Sequence, residues 1–117
     1  MITLYGIPNC DSVKKARDWL TQHGVDYQFH DFKKQGVPVA LLPGWIKEVG
    51  LEKIINRKGP TWRKLDTAVQ GSVVDAASAT AVIVANSSIV KRPLVVWNDG
   101  SVTVGFTPES FGQRLSS

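Results

Sequence analysis

The sequence predicts an α/β fold with a mixed four-stranded sheet, in the order β-α-β, then helices, then β-β-α. Short β-prone segments that alternate apolar and polar residues lie near both ends of the chain. The middle of the chain instead has helical spacing and helix-cap signals. Its length of 117 residues is that of an ordinary domain, so we expect one domain spanning residues 1–117.

The first third of the chain predicts a strand, a helix and a second strand. Val13, Ala16 and Leu20 recur on one face of the predicted helix, which indicates an amphipathic element. Short connections around a helix imply a right-handed crossover, so the two strands should be parallel. The predicted elements are a strand over residues 1–5, a helix capped by Asp11 or Ser12 and running to about His23, and a strand over residues 26–31.

The rest of the chain predicts helices followed by a hairpin and a last helix. Asn98 to Gly100 form a tight-turn signal between two β-prone runs, which favours an antiparallel hairpin. The predicted helices are residues 38–49, residues 51–56, a helix opened by Ser72 and Asp75 and running to about Ala85, and a helix from Pro108 through Leu115 that follows Thr107.

Composition excludes several classes of protein. An apolar fraction of 43% and a charged fraction of 21% are typical of a soluble globular protein. The longest uncharged stretch, residues 76–90, is shorter than the ~20 apolar residues of a membrane span. One cysteine and a first segment without signal-peptide character predict a reducing cytoplasm. The net charge of +4 is small, and the basic run at residues 47–64 has the composition of a solvated helical face.

Cys10 lies between the first strand and the first helix. Backbone N–H groups in the first turn of a helix lack intrahelical partners and favour a thiolate, so we expect a pKa below the ~8.5 of a free cysteine. Pro8, Asn9 and Asp11 surround Cys10 with loop-forming residues, which favours an exposed sulfur in a shallow cleft. The alternative is a small buried apolar side chain, since unpaired cysteines are often buried.

A thiol of this kind needs an external partner. Val13 stands where the second cysteine of a CxxC pair would be, so the thiol that resolves a mixed disulfide must come from another molecule, such as glutathione or a protein. His23 and His30 lie at the ends of predicted elements, which favours structural roles. One cysteine and two scattered histidines do not make a convincing metal site.

Two arginines are candidates for binding an anionic substrate near the thiol. Arg92 precedes Pro93, which keeps its backbone extended, and Arg57 ends a short predicted helix. The planar guanidinium group suits carboxylates and oxyanions. On local sequence alone, both are equally compatible with a surface role.

The quoted motifs together resemble the arsenate reductase (ArsC) family, especially its Spx/YffB-like branch. They are YGIPNCD at the start, INRKGPTWRKL, DAASA at residues 75–79 and KRPL at residues 91–94. The resemblance implies a thioredoxin-like fold with parts at about residues 1–35 and 88–117, and a helical insertion at about residues 36–87.

The resemblance also implies roles for individual residues. Cys10 takes the place of the attacking cysteine, and Arg57 and Arg92 take the places of arginines that hold the anion. Pro93 takes the place of the cis-proline of thioredoxin-like folds. The remaining substrate-binding residues that we expect are Asn9, Asp11 and Ser12, which flank the sulfur.

The sequence departs from the arsenate reductase pattern at one point. A third arginine is expected in or after the fourth strand, where this chain has Gly105 and Phe106. Loss of one partner of a buried charge typically costs about 2–5 kcal/mol, so arsenate reduction is disfavoured. YffB-like proteins are regarded as glutathione-dependent thiol reductases, which agrees with the missing second cysteine.

The expected function is therefore that of a monothiol reductase or thiol–disulfide exchange protein with Cys10 as nucleophile. The expected partners are glutathione, as co-substrate, or a glutaredoxin-type thiol, with no tightly bound cofactor and no metal. The alternatives are a glutaredoxin-coupled arsenate reductase and an Spx-like regulator that binds the RNA polymerase α subunit. We expect a cytoplasmic monomer with no membrane association and no direct contact with nucleic acid.

Overall fold

The computed structural model describes residues 1–116, and the side chains of residues 1–115. They form two compact units. The first contains Met1–Lys33 and the described chain from Arg92 onward, and the second contains Lys34–Lys91.

The first unit contains the sheet. Its elements are β1 (Ile2–Gly6), α1 (Asp11–Gln22), β2 (Tyr27–Asp31), β3 (Leu94–Val96), β4 (Val102–Val104) and α8 (Pro108–Ser116). The strand order is β2-β1-β3-β4, with β1 parallel to β2 and antiparallel to β3, and β3 antiparallel to β4. This confirms the predicted α/β fold with a mixed four-stranded sheet.

The register of the sheet brings one end of each of the four strands to the same edge. Tyr5, near the end of β1, pairs with Leu94 at the start of β3, and Leu94 pairs with Val104 at the end of β4. Gly6, the last residue of β1, pairs with Asp31 at the end of β2. The segments that follow β1 and precede β3 therefore lie at the same edge.

The core of this unit lies between the sheet and the helices α1 and α8. It consists of Ile2, Leu4, Val13, Ala16, Leu20, Val95, Trp97 and Phe111. The spacing of its three α1 members confirms the amphipathic face predicted from the sequence. Full burial of a leucine such as Leu20 contributes about 1.5–3 kcal/mol.

The hairpin between β3 and β4 has the tight turn that the sequence predicts. Gly100 adopts a φ of +85°, which favours glycine, and its N–H donates to the Trp97 carbonyl at 2.9 Å. The Asp99 carboxylate accepts from the Ser101 N–H at 2.9 Å.

The second unit is helical. Its elements, with α2 at the boundary, are α2 (Phe32–Gln35), α3 (Leu42–Val49), α4 (Leu51–Ile54), α5 (Pro60–Arg63), α6 (Thr67–Ser72), α7 (Ala76–Ala85) and a 3-10 turn (Ser87–Ile89). Within it, α3 buries Leu42, Trp45 and Ile46, and α7 buries Ala79, Val82 and Ile83. Among the described residues, no helix is both long enough and apolar enough to cross a membrane.

Two predicted helix ends and one predicted helix cap in this unit were wrong. The helix expected over 38–49 begins at Leu42, because Pro43 suits a first helical turn rather than an interior. The helix expected over 51–56 ends at Ile54, because Ile55 forms a bridge with Val90. Three short helices, α2, α5 and α6, were not predicted at all.

The cap of α7 is the third correction. Ser72 ends α6, and Asp75 caps α7 instead. The Asp75 carboxylate accepts from the Ser78 N–H at 2.8 Å, and the Ser78 hydroxyl accepts from the Asp75 N–H at 3.0 Å. The capping box is therefore formed three residues later than expected, because a carboxylate at this position has both partners within reach.

Asp75→Ala is expected to lower the melting temperature by a few degrees, because α7 loses its cap. The Ser78 N–H and hydroxyl hold the pKa of Asp75 below its usual range. The stabilisation is thus present above the unfolded pKa and is lost as the pH falls through the folded pKa. Thermal unfolding at neutral and acid pH measures both effects.

Asp66→Ala is the matched control, because Asp66 precedes α6 but makes no side-chain cap bond. It should change the melting temperature much less. Equal effects of the two substitutions would contradict the assignment of the cap.

Candidate active site

Cys10 occupies the N-cap position of α1. Its φ and ψ of −119° and 126° are extended, and its carbonyl accepts the first helical hydrogen bond from the Lys14 N–H at 2.9 Å. Asp11 and Ser12, predicted as caps, are the first two helical residues. The prediction was wrong by one or two residues, because Asp and Ser favour several positions around a helix start.

The half-buried Cys10 sulfur lies where a capping oxygen usually lies. It does not close a conventional cap hydrogen bond, yet the N–H groups of Val13 and Ser12 act on it. Burial raises the pKa of Cys10. The Val13 N–H, the hydrogen bond and positive charge of Arg92, and the Ser12 N–H outweigh that effect, so the pKa lies below its ordinary value.

Arg92 reaches Cys10 because of the sheet register. It lies two residues before Leu94, which pairs with Tyr5 at the edge that leads into the Cys10 loop. Its guanidinium group is close enough to the sulfur to lower the pKa of Cys10, through a hydrogen-bonding interaction and through its positive charge. Residues 10 and 92, distant in sequence, therefore form a single cation–thiolate pair.

Pro93 is buried next to this pair, and the Arg92–Pro93 peptide bond is cis. The Pro93 carbonyl accepts a hydrogen bond from the Gly105 N–H at 2.9 Å. Gly105 has a φ of +85°, a conformation that L side chains rarely adopt. The chain after β4 is therefore held beside Pro93 by a turn that suits glycine.

The other candidate residues of the first helix turn are exposed. Asn9 lies in the turn before Cys10, and the side chains of Asp11 and Ser12 face solvent at the start of α1. Ser12 acts on the sulfur through its backbone N–H rather than through its hydroxyl. These residues surround the sulfur without burying it.

Arg57 belongs to the second unit, and its contacts there are clear. Its guanidinium group pairs with the Glu52 carboxylate at 3.2 Å and lies 5.2 Å from the centre of the Trp62 ring. The side chain is 40% exposed, so water reaches the ion pair. Its predicted role in substrate binding stays a prediction.

The two histidines have structural contacts. His23 is the C-cap residue of α1, stacks on Trp19 with 3.8 Å between ring centres, and donates from Nδ1 to the Trp19 carbonyl at 2.8 Å. The His30 ring lies 4.8 Å from that of Tyr5. Neither contact involves the sulfur.

Two concavities of the first unit are lined by residues other than these groups. Cavities of about 270 Å³ and 340 Å³ share Trp97 and Arg114 in their walls, and neither is lined by Cys10 or Arg92. The chemistry of the sulfur, and not cavity size, identifies the candidate active site.

Sequence reasoning missed two parts of this arrangement. It expected N–H groups of the first helical turn to favour the thiolate but did not single out Val13, whose N–H lowers the pKa of Cys10. It treated Gly105 only as a missing arginine. The glycine before an aromatic residue was a turn signal that could have revealed its backbone role.

Comparison with known proteins identifies the family. The ArsC family pattern matches residues 5–113 of the chain. The chain belongs to the ArsC family. This confirms the family resemblance that the sequence motifs indicated.

Relatives of known structure agree with this assignment. A YffB protein is 40% identical, with 97% of each chain covered and a TM-score of 0.88. An arsenate reductase (ArsC) related protein from Brucella melitensis is 46% identical, with 99% of this chain and 95% of that chain covered and a TM-score of 0.74. The global transcriptional regulator Spx of Streptococcus pyogenes is 30% identical over 99% of this ArsC-family chain and 86% of its own length.

Arg92→Met is expected to raise the pKa of Cys10, because the thiolate loses a hydrogen bond and a neighbouring positive charge. The rate of alkylation at a fixed pH below ~8.5 should fall several-fold, since only the thiolate reacts. Alkylation rates and thiolate absorbance across a pH series measure the shift.

Arg17→Met is the matched control. Arg17 carries the same charge in the same unit, but it donates to the Tyr27 hydroxyl at 3.0 Å and lies over the Phe29 ring. Its loss should leave the Cys10 titration unchanged. Equal shifts in the two variants would show that only overall charge matters.

Proposed function

We propose that the chain is a monothiol reductase in which Cys10 is the nucleophile and glutathione is the resolving thiol. The observation that carries this proposal is the half-buried Cys10 sulfur, stabilised as thiolate by Val13, Ser12 and Arg92 in a chain with no second cysteine. Membership of the ArsC family supports an oxidoreductase of this type.

The proposed reaction has two exchange steps at the Cys10 sulfur. The Cys10 thiolate attacks one sulfur of a substrate disulfide, forms a new S–S bond and releases the other sulfur as thiolate. A glutathione thiolate then attacks the mixed disulfide at the substrate sulfur and releases Cys10 as thiolate. These exchanges at Cys10 leave the substrate sulfur bound to glutathione in a mixed disulfide. A second glutathione thiolate then attacks the glutathione sulfur of that disulfide in solution and releases the substrate sulfur as thiolate. The substrate disulfide gains two electrons in total, and two glutathione thiols supply them and become glutathione disulfide.

The charge around the sulfur favours an anionic thiol substrate. Glutathione has two carboxylates, and Arg92 offers a permanent cation within hydrogen-bonding distance of the reacting sulfur. The Ser12 and Val13 amides add partial positive charge at the helix start. The expectation from sequence that Arg57, and Arg63 or Lys64 a few residues further on, also bind carboxylates of glutathione stays a prediction.

Wild-type protein treated with glutathione disulfide is expected to gain the mass of one glutathione, and Cys10→Ser is expected to gain none. Only Cys10 carries a thiol, so the adduct reports on that sulfur alone. Mass spectrometry of the folded protein measures the adduct, and excess reduced glutathione should remove it. Absence of the adduct, or resistance to glutathione, would contradict the mechanism.

A second candidate function is a transcriptional regulator. Spx proteins match nearly the whole chain at 30% identity, which favours an interaction surface shared with them. The partner proposed for that alternative is the RNA polymerase α subunit. Pull-down with purified α subunit tests it, and binding that persists in Cys10→Ser would show a function independent of the thiol.

Arsenate reduction is a weaker alternative. A Brucella melitensis protein described as arsenate reductase related is 46% identical, which favours it. Gly105, however, stands where the resemblance implies a third arginine, and its φ of +85° suits glycine. Arsenate-dependent consumption of reductant by the wild type would support the alternative, and Cys10→Ser serves as its blank.

A further inference from the structure

Gly6 ends β1 at a point where the chain and helix α1 are in close contact. It is buried and pairs with Asp31 of β2. A Cβ atom at Gly6 would lie 2.7 Å from Cγ2 of Val13 and 3.6 Å from its Cγ1. Carbon atoms pack at about 3.5–4.0 Å, so any side chain at this position forces a movement.

Val13 has little freedom to make that movement. Its side chain is fully buried in the core with Leu4, Ala16 and Phe111. A β-branched side chain in a helix has one strongly preferred rotamer, so it cannot turn away from Gly6 at low cost. A methyl group at Gly6 would therefore displace the first turn of α1.

That turn carries the amides that act on the sulfur. The Val13 N–H is one of the groups that stabilise the Cys10 thiolate, and the Ser12 N–H belongs to the same turn. Only Ile7, Pro8 and Asn9 separate Gly6 from Cys10 in the chain. Gly6 and Val13 lie before and after Cys10 in the chain. The contact between Gly6 and the Val13 side chain thus fixes the position of the Val13 amide relative to the sulfur.

We propose that Gly6 is a positioning residue for Cys10: its missing side chain lets the first turn of α1 close onto the end of β1, so that the Val13 N–H meets the sulfur. This inference rests on Cys10 being the reacting thiol of the proposed function. Gly6 itself contacts no substrate and acts through Val13.

The test compares Gly6→Ala, Val13→Ala and the double variant. Gly6→Ala is expected to raise the pKa of Cys10 and to slow its alkylation several-fold at a fixed pH below ~8.5. Val13→Ala keeps the backbone N–H but removes the methyl groups that Gly6→Ala would meet, so it is the reference for the double variant. The double variant should titrate as Val13→Ala does, because only the Val13 Cβ, at 3.8 Å, then faces the new methyl group.

Leu20→Ala is the control for an effect of lost stability alone, because it removes a fully buried side chain two turns further along α1. This variant should have a lower melting temperature than the wild type, and its Cys10 thiol should titrate as in the wild type. If the Gly6→Ala variant is less stable than the wild type but its Cys10 thiol titrates as in the wild type, the proposal is overturned. Should Gly6→Ala not fold, the double variant must fold and titrate like Val13→Ala, and its failure would also overturn the proposal.

The readout separates this inference from the proposed function. Alkylation and thiolate absorbance need no glutathione turnover. A shifted titration in Gly6→Ala together with a wild type that forms no glutathione adduct would refute the reductase only. A wild type that forms the adduct and a Gly6→Ala variant with normal titration would refute the positioning role only.

Discussion

The close approach of the first turn of α1 to the end of β1 is the constraint on which the site depends. One residue, Val13, connects the core to the chemistry, since its side chain is buried with Leu4 and Phe111 while its N–H faces the Cys10 sulfur. Because the side chain cannot move without opening the core, the amide is fixed before any substrate binds. The packing of the folded core thus holds the N–H group that stabilises the thiolate in position.

The sheet provides the second half of the site. A cation that follows Cys10 in sequence would sit on the same flexible loop or on the exposed face of α1. Arg92 instead arrives from the start of β3, whose antiparallel pairing with β1 fixes it at the edge where β1 ends. Backbone hydrogen bonds of two strands therefore determine the distance between the guanidinium group and the sulfur, and Gly105 holds the neighbouring Pro93 carbonyl from β4.

Sequence patterns predicted the elements that have a regular period. The apolar face of α1, the parallel pair and the hairpin all follow from local spacing and turn residues, because these are short-range properties. The predicted start of α3 was wrong because Pro43 suits a first helical turn, and the predicted start of α7 was wrong because Ser72 and Asp75 are both residues that can act as a cap. The spacing of residues in the sequence did not predict that Arg92 lies close to Cys10. It came from the family resemblance, since strand order is a long-range property that no local pattern encodes.

The environment of Cys10 also suits a chain with one thiol. A sulfur with a lowered pKa attacks readily because more of it is thiolate, and it also leaves readily from a mixed disulfide. A protein with a second cysteine can resolve its own mixed disulfide by proximity, whereas this chain has Val13 at that position. In the proposed cycle an external thiol releases Cys10, and the Val13 amide and Arg92 would favour that step by stabilising the departing thiolate. The same two groups therefore serve both the attack and the release, which is why one cysteine is sufficient for the proposed cycle.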